Sequence, residues 1–377
     1  MAGNVIERQL TRTRTGRIRY TVATPNDDAE IRRLLRENPM PGRISLSLER
    51  EPNYFADANQ PDEKKVTIIA RDGSRVACVG SCTIRPRFIN GAPRRVGYLG
   101  GLRLDARQAG RFDVLRRGYE FFQELQAAMP AEYYFTSIAA DNDRARAFLE
   151  RGLPGIPFYE FIGDYVTMVV SADRRHSIET SGSARISSEE QIVSLVNPNN
   201  CRHQLAPCWS EREIAGLQNL GLGREDFRFV VDGEGVIGSA ALWDQRGFKQ
   251  TVIRGYQTWL KQVRPVLNLS VRFTGGIELP AVGKTLSNAF VSHVAFVPDR
   301  PDILTELIKS LRGVAAHRGI KLLTLGFAAN DPRLTWLRRN FRGREYRSRL
   351  YLVRWPEFGG KAQDLDGRVL APEVALI

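Results

Sequence analysis

The spacing of apolar residues predicts one series of elements that occurs twice. Residues 18–23 read as a strand, followed by a Thr24–Asp28 cap and a helix with Ile31, Leu34 and Leu35 at helical spacing. Pro39, Met40, Pro41 and Gly42 break that helix. Residues 66–70 and 75–84 read as a hairpin turning through Arg71, Asp72, Gly73 and Ser74. A strand over 95–104 carries Gly100 and Gly101 in its middle, which marks a bulge or a close backbone approach. From about Arg111 a helix sets Phe112, Leu115, Tyr119, Phe122 and Leu125 on one face. A strand over 133–140, a short helix over 143–150 and one or two closing strands over 159–170 complete the first series.

Residues 171–190 are rich in Ser, Arg and Glu and poor in large apolar side chains, as a linker would be. The order then recurs. Helical patterns occupy 191–197 and 210–220, and strands occupy 227–231 and 236–243. After an insertion over 248–282 comes a strand from Ala289. The next helix, from Asp302, has Ile303, Leu304, Leu307, Ile308, Leu311 and Val314 at core spacing. A strand over 322–327 and a short helix from about Pro332 follow. One constant offset pairs Thr136 with Thr324, Ala140 with Ala328, Asn142 with Asn330, Phe148 with Trp336 and Leu149 with Leu337. Two copies indicate duplication, not a solenoid.

Each copy contains a strand–loop–helix unit, and the two loops differ. The first, 105–110, leads into its helix through Arg107 and Gly110, and glycine lets backbone approach a ligand closely. A helix start offers free N–H groups to an anion. In the second loop Pro301 removes a donor, and Asp299 and Asp302 put carboxylates where a phosphate would sit. The expectation is one anion site, in the first copy.

At 377 residues with 42% hydrophobic content, two globular domains are the default. No apolar run approaches the ~18 residues of a membrane-crossing helix, and the N-terminal residues lack a basic-then-apolar signal pattern. Cys78, Cys82, Cys201 and Cys208 read as reduced thiols of a cytoplasmic protein, with no metal site expected. The formal net charge of +13 favours acidic partners: a phosphorylated cofactor, an acidic carrier protein, nucleic acid or anionic lipid. Eight of the 55 basic residues are lysine, so the excess is mainly arginine. It clusters in a basic N-terminal arm, residues 1–17, and again over 333–349.

A hairpin, a bulged strand, an anion-binding loop, a long helix, a strand and an Asn-led short helix together resemble the GNAT acyltransferase superfamily. Residues 18–170 resemble one GNAT domain and 191–355 a second, more divergent one, joined by the 171–190 linker and followed by a 356–377 tail. The resemblance implies an α/β fold (of the α+β kind): two tandem domains, each a mixed, bulged central sheet flanked by helices. It also implies acetyl-CoA or a longer acyl-CoA as donor, with pantetheine in the gap beside the bulged strand. The family loop pattern is Arg/Gln-x-x-Gly-x-Gly/Ala. Arg107 and Gly110 match it, and Phe112 departs with a bulky side chain that would narrow the phosphate cradle. Leu102 and Leu104 would offer backbone groups to pantetheine, Arg103 and Arg111 would flank the phosphates, and Asn142 would hold the cofactor-side asparagine position.

In the family a Tyr seven residues after that Asn protonates the leaving thiolate. Here the position is Leu149, and Leu337 in the second copy, so the usual acid is missing from both. Tyr98 and Tyr159 are the candidate substitutes. A neutral amine is needed to attack a thioester, and Glu49, Glu51 and Asp57 are candidate bases or amine ligands. The leading expectation is an acyl-CoA-dependent N-acyltransferase acting on an amine-bearing small molecule or peptide. The alternatives are an acyltransferase fed by acyl carrier protein and a non-catalytic GNAT-like protein binding an anion or nucleic acid. Nucleic acid ranks last, because aromatic stacking platforms are not apparent.

Overall fold

A computed structural model describes residues 18–127, 130–173, 188–233, 235–274 and 277–377. The basic arm at 1–17 and most of the proposed linker lie outside the described residues. The first series forms β1 (Ile18–Val22), α1 (Asp28–Glu37), β2 (Ile44–Glu49), β3 (Lys64–Asp72), β4 (Arg75–Ile89), β5 (Ala92–Leu104), α2 (Phe112–Gln126), β6 (Tyr133–Ala139), α3 (Asp143–Leu149) and β7 (Phe158–Ser171). The second forms α4 (Glu189–Asn200), α5 (Glu211–Gly216), β8 (Phe227–Asp232), β9 (Gly235–Trp243), β10 (Gln250–Tyr256), α6 (Thr258–Thr274), β11 (Asn288–Phe296), α7 (Pro301–His317), β12 (Leu322–Ala328), α8 (Pro332–Asn340) and β13 (Gly343–Arg354).

Eleven strands make one mixed sheet in the order β1-β3-β4-β5-β6-β13-β7-β12-β11-β9-β8. The closing strands of the two halves are exchanged. β7 pairs with β12, β13 lies between β6 and β7, and Leu352 of β13 sits opposite Phe135 of β6. Each half thus covers the other's sheet edge, which removes two exposed rows of backbone donors and acceptors. β13 has no sequence-level counterpart above, because Arg342, Arg344, Arg347 and Arg349 disguise its strand pattern as a solvated cluster. Arg333 pairs with Asp331, Arg338 with Glu345 and Arg349 with Glu150, so much of that cluster's charge is met within the chain.

Both copies splay where the bulged strand leaves its parallel neighbour. β5 pairs with β6 only from Val96 to Tyr98, and β11 with β12 only from Asn288 to Phe290. Each bulged strand carries an extra residue beyond the splay, with positive φ at Gly101 (66°) and His293 (53°). The sequence signal at Gly100 and Gly101 is therefore a β-bulge. α7 buries the six expected apolar side chains against the second half of the sheet, and truncating any of its five Leu or Ile members to Ala should cost ~2–5 kcal/mol.

The splays have different contents. In the second copy the C-terminal segment enters the gap: the Tyr165 hydroxyl donates to the Pro372 carbonyl at 2.6 Å, and the His293 N–H donates to Glu373 Oε2 at 3.2 Å. A Cβ added at Gly326 of β12 would lie 2.6 Å from Val374 Cβ, so the segment is seated closely. Burial pushes the Glu373 carboxyl up to about 7. A carboxyl with a raised folded-state pKa contributes full stability below its unfolded value. That contribution is lost as pH climbs to the folded pKa and stays lost above it. Glu373→Gln keeps an oxygen for the His293 N–H. At pH 8 it should be more stable than wild type by on the order of 2 kcal/mol, after discounting for Glu373's partial exposure, and so melt at a higher temperature. At pH 4.5 the two melting curves should coincide.

Candidate active site

In the first copy the splay is open. A cavity of about 410 Å³ begins at Gly100, Gly101 and Leu102 of β5 and at residues 136–139 of β6. Its lining residues fall into two sets, an apolar arm and a charged arm. An apolar arm runs under α2, between Tyr20, Ile68, Cys78, Val114, Gly118 and Phe122. A charged arm runs toward the second half, past Arg50, Asp57, Glu63, Lys65, Arg85 and Lys249. Leu115, Tyr119 and Phe122 on the apolar face of α2 line this cavity.

The structure places each candidate donor-binding residue as follows. Leu102 is exposed at the splay, and Arg103 lines the cavity with Nη1 donating to the Leu102 carbonyl at 2.7 Å. Leu104 turns away and packs with Val114 and Phe121. The loop is more self-satisfied than its composition suggests. Ala106 N–H donates to Asn38 Oδ1, Arg107 N–H to Asp105 Oδ1, Gln108 N–H to the Asp105 carbonyl and Ala109 N–H to the Ala106 carbonyl. Arg111 N–H bonds the Gln108 carbonyl and Phe112 N–H the Gly110 carbonyl. The Gly110 N–H has no partner among the described residues, and the first turn of α2 adds further N–H groups without intrahelical acceptors. Gly110 has φ +86°, where a side chain would be strained.

Arg107 is exposed, with no ion pair among the described residues. Arg111 is instead engaged by Asp113 at 2.6 Å. The narrowing expected from Phe112 does not occur: its ring packs edge-on against Phe148 of α3, 5.2 Å between centroids, away from the loop. Asn142 lines the cavity and also caps α3, accepting from Ala145 N–H at 3.1 Å.

The expected contrast between the two loops is smaller than their sequences imply. Asp299 has φ +63°, matching Gly110, and the Arg300–Asp302 pair repeats Arg111–Asp113. A carboxylate near the helix start is thus common to both copies. Pro301, Asp299 and the seated C-terminal segment are what set the second apart.

Tyr98 lines the cavity at the last paired residue before the splay, its ring 5.0 Å from Phe135, and burial pushes its phenol up to about 12. Tyr159 shares a hydrogen bond with Tyr119, oxygen to oxygen at 2.5 Å, and burial drives its phenol well above the ordinary value. Leu149 is buried core.

Two of the three candidate carboxylates are absent from the cavity wall. Glu49 pairs with Arg254 and Ser47 on the β2–β10 ribbon, and Glu51 pairs with Arg32. Asp57 lines the charged arm. Burial alone would raise its carboxyl, but Arg50 at 2.5 Å and Lys65 at 2.6 Å outweigh it and hold it far below the carboxylate range. A carboxylate so held is a poor proton acceptor.

Sequence reasoning missed Glu63. It lines the same arm, its nearest cation is Arg85 at 3.8 Å, and it accepts no hydrogen bond among the described residues. Burial raises its carboxyl above the ordinary value. Lys249, also missed, lines the arm with Nζ 3.2 Å from the Ile377 carbonyl oxygen, and burial lowers its ammonium to about 7. Trp243 at the end of β9 and Gln245 just beyond it also line the pocket. Neither Glu63 nor Lys249 sits in a motif; only the meeting of the two halves exposes them. His293 stacks on Trp209 at 4.4 Å, outside the cavity, and burial lowers it to about 3, so it stays neutral. Among the described residues no group of three or more His, Cys, Asp or Glu side chains is placed to hold a metal ion.

By sequence the chain matches no protein-family model and no curated protein. By structure it is similar to Saccharomyces cerevisiae N-myristoyltransferase with bound myristoyl-CoA, at TM-score 0.62 and 10% identity over 96% of this chain and 90% of that one. It is also similar to a GCN5-related N-acetyltransferase from Sphaerobacter thermophilus, at TM-score 0.54 and 16% identity over 90% of this chain and 96% of that one. At these identities the likeness is one of fold, and that fold is GNAT-like along most of the chain, as two tandem GNAT-like halves.

Proposed function

We propose that this protein is an acyl-CoA-dependent N-acyltransferase whose donor binds at the open splay of the first copy and whose acceptor amine enters the charged arm. The observation carrying this reading is a single cavity joining the β5–β6 gap, an apolar arm and a buried carboxylate. In the reaction the amine nitrogen attacks the thioester carbonyl carbon, a C–N bond forms, the C–S bond breaks and the thiolate leaves. Glu63 takes the proton that the attacking amine must lose, a role its raised carboxyl suits better than the held-down carboxylate of Asp57. Backbone N–H groups of the bulge at Gly101 and Leu102 are the donors proposed for the developing oxyanion. Tyr98 is the better-placed proton source for the thiolate, because the Tyr159 hydroxyl is engaged by Tyr119.

The apolar arm favours an acyl chain longer than acetyl, since Val114, Ile68 and Phe122 offer it an apolar wall and the Tyr20 hydroxyl is already donated to the Val114 carbonyl. The myristoyl-CoA bound by the S. cerevisiae neighbour agrees with that choice.

A pair of variants tests the one-site assignment. Gly110→Glu puts a charge and a strained side chain at the phosphate loop and should abolish acyl-CoA binding, whereas Asp302→Ala should leave it unchanged. Equal loss in both, measured by equilibrium binding, would contradict a single site in the first copy.

A further inference from the structure

We infer that α6 is a surface anchor that lays the protein on an anionic lipid bilayer. A helix of a soluble protein ordinarily turns its apolar stripe inward and its polar face to water. α6 does the reverse. Its inward stripe is Leu260, Arg264 and Asn268. Arg264 Nη1 donates to the Pro280 carbonyl at 2.8 Å, and Asn268 makes two backbone bonds to Leu279, each 2.9 Å. On the opposite side Trp259, Val266 and Leu269 are exposed, Val266 to 70%, and Val263 and Leu267 are exposed on the flank. This polarity is built in, because the inward polar groups are hydrogen-bonded and rotating the helix would break those bonds.

The charge selects the occupant. Residues 258–274 contain no Asp or Glu and contain Lys261, Arg264 and Arg272. Exposed Arg43 lies at the helix start, where the Gln257 N–H donates to its carbonyl, and exposed Lys284 meets β10 through the Ile253 N–H. A second copy of this chain would present the same positive charge, on a protein of net charge +13. The aliphatic side chains offer no directional groups for a protein partner, and the Ser270 hydroxyl is bonded to the Leu267 carbonyl. Aliphatic side chains, one Trp and flanking cations suit the boundary between headgroups and acyl chains. No helix among the described residues is long and apolar enough to cross a membrane, so the helix would lie on the surface.

The placement ties the bilayer to the cavity. Phe248 and Lys249 line the cavity immediately before β10, and α6 begins immediately after it. β10 pairs with β2, which carries the cavity residue Leu48, so the ribbon is a strut between the two. This inference stands independently of the acyltransferase reading.

The test is co-sedimentation of the full chain with phosphatidylcholine vesicles, with and without phosphatidylglycerol, comparing wild type with Val266→Asn/Leu269→Asn. Both positions are exposed, so the variant should melt with wild type. It keeps every charge, so any purely electrostatic binding by the arginines of residues 1–17 is the same in both. The expected result is binding to the anionic vesicles that falls by about tenfold in the variant. Equal binding by both proteins, no binding by wild type, or self-association in wild type that the variant abolishes would each overturn the inference.

Discussion

Glu63→Gln should lower kcat/KM for acyl transfer by about 10²–10⁴ at neutral pH while leaving acyl-CoA affinity unchanged. The amide keeps the shape of the carboxylate and removes its capacity to take a proton. Affinity is spared because Glu63 lies in the charged arm, toward the second half, and not at the phosphate loop. The pH profile carries a sharper signature than the rate alone. A base must be deprotonated to act, so the wild-type rate rises as pH passes through the Glu63 pKa, which burial has lifted above the ordinary carboxylate value. That limb should vanish in Glu63→Gln. Lys249 titrates in the same arm, at about 7. A variant that loses little rate and keeps an acid limb near 7 would move the base role to Lys249. Steady-state rates of thiol release, measured from pH 5 to 9, separate these outcomes.

Gly118→Leu should shift donor use from long-chain acyl-CoA toward acetyl-CoA. Gly118 sits inside α2 on the wall of the apolar arm, and a Cβ there would have Tyr20 Cε1 as its nearest neighbour, at 3.9 Å. The backbone therefore accepts a side chain, whose outer atoms must occupy the arm. Each methylene denied burial costs ~0.8 kcal/mol, so excluding three or four should reduce palmitoyl-CoA use by about 10² or more. Acetyl-CoA, which does not reach the arm, should be handled as by wild type. Replacing glycine in a helix interior gains ~1 kcal/mol of helix propensity, so a loss through unfolding is not expected. Parallel kinetics with the two donors check the result. Equal loss for both would show that the arm does not take the acyl chain.

The sequence made the central architecture legible because its signals are local. Alternation, helical spacing and the paired glycines at 100–101 gave the hairpin, the bulge and the long helix. The Thr136–Thr324 and Asn142–Asn330 correspondences gave the duplication. Among the features that escaped, three did so for a non-local reason. β13 alternates arginine with other residues, and its partner strands lie far away in the chain, so its pattern reads as solvated charge. The C-terminal segment carries no motif, yet Pro372 and Glu373 enter the second splay and the last residues reach the cavity of the first. Glu63 and Lys249 are ordinary until the two halves meet and exclude water from them. The Phe112 departure was legible as chemistry but not as direction: Phe148, not the loop, receives its ring. Asp57 was legible as a candidate base or amine ligand, but not its low basicity, because Arg50 and Lys65 converge on it only in the folded chain.

The most direct test of the central claim is a calorimetric titration of the full chain with palmitoyl-CoA, with Gly110→Glu as control and the titration repeated at higher salt. The account predicts saturable binding of one donor per chain, weakened by salt because the phosphates meet cationic groups such as Arg107 and Arg103, and lost in the control. Two donors per chain, binding that survives Gly110→Glu, or no heat at all would contradict it.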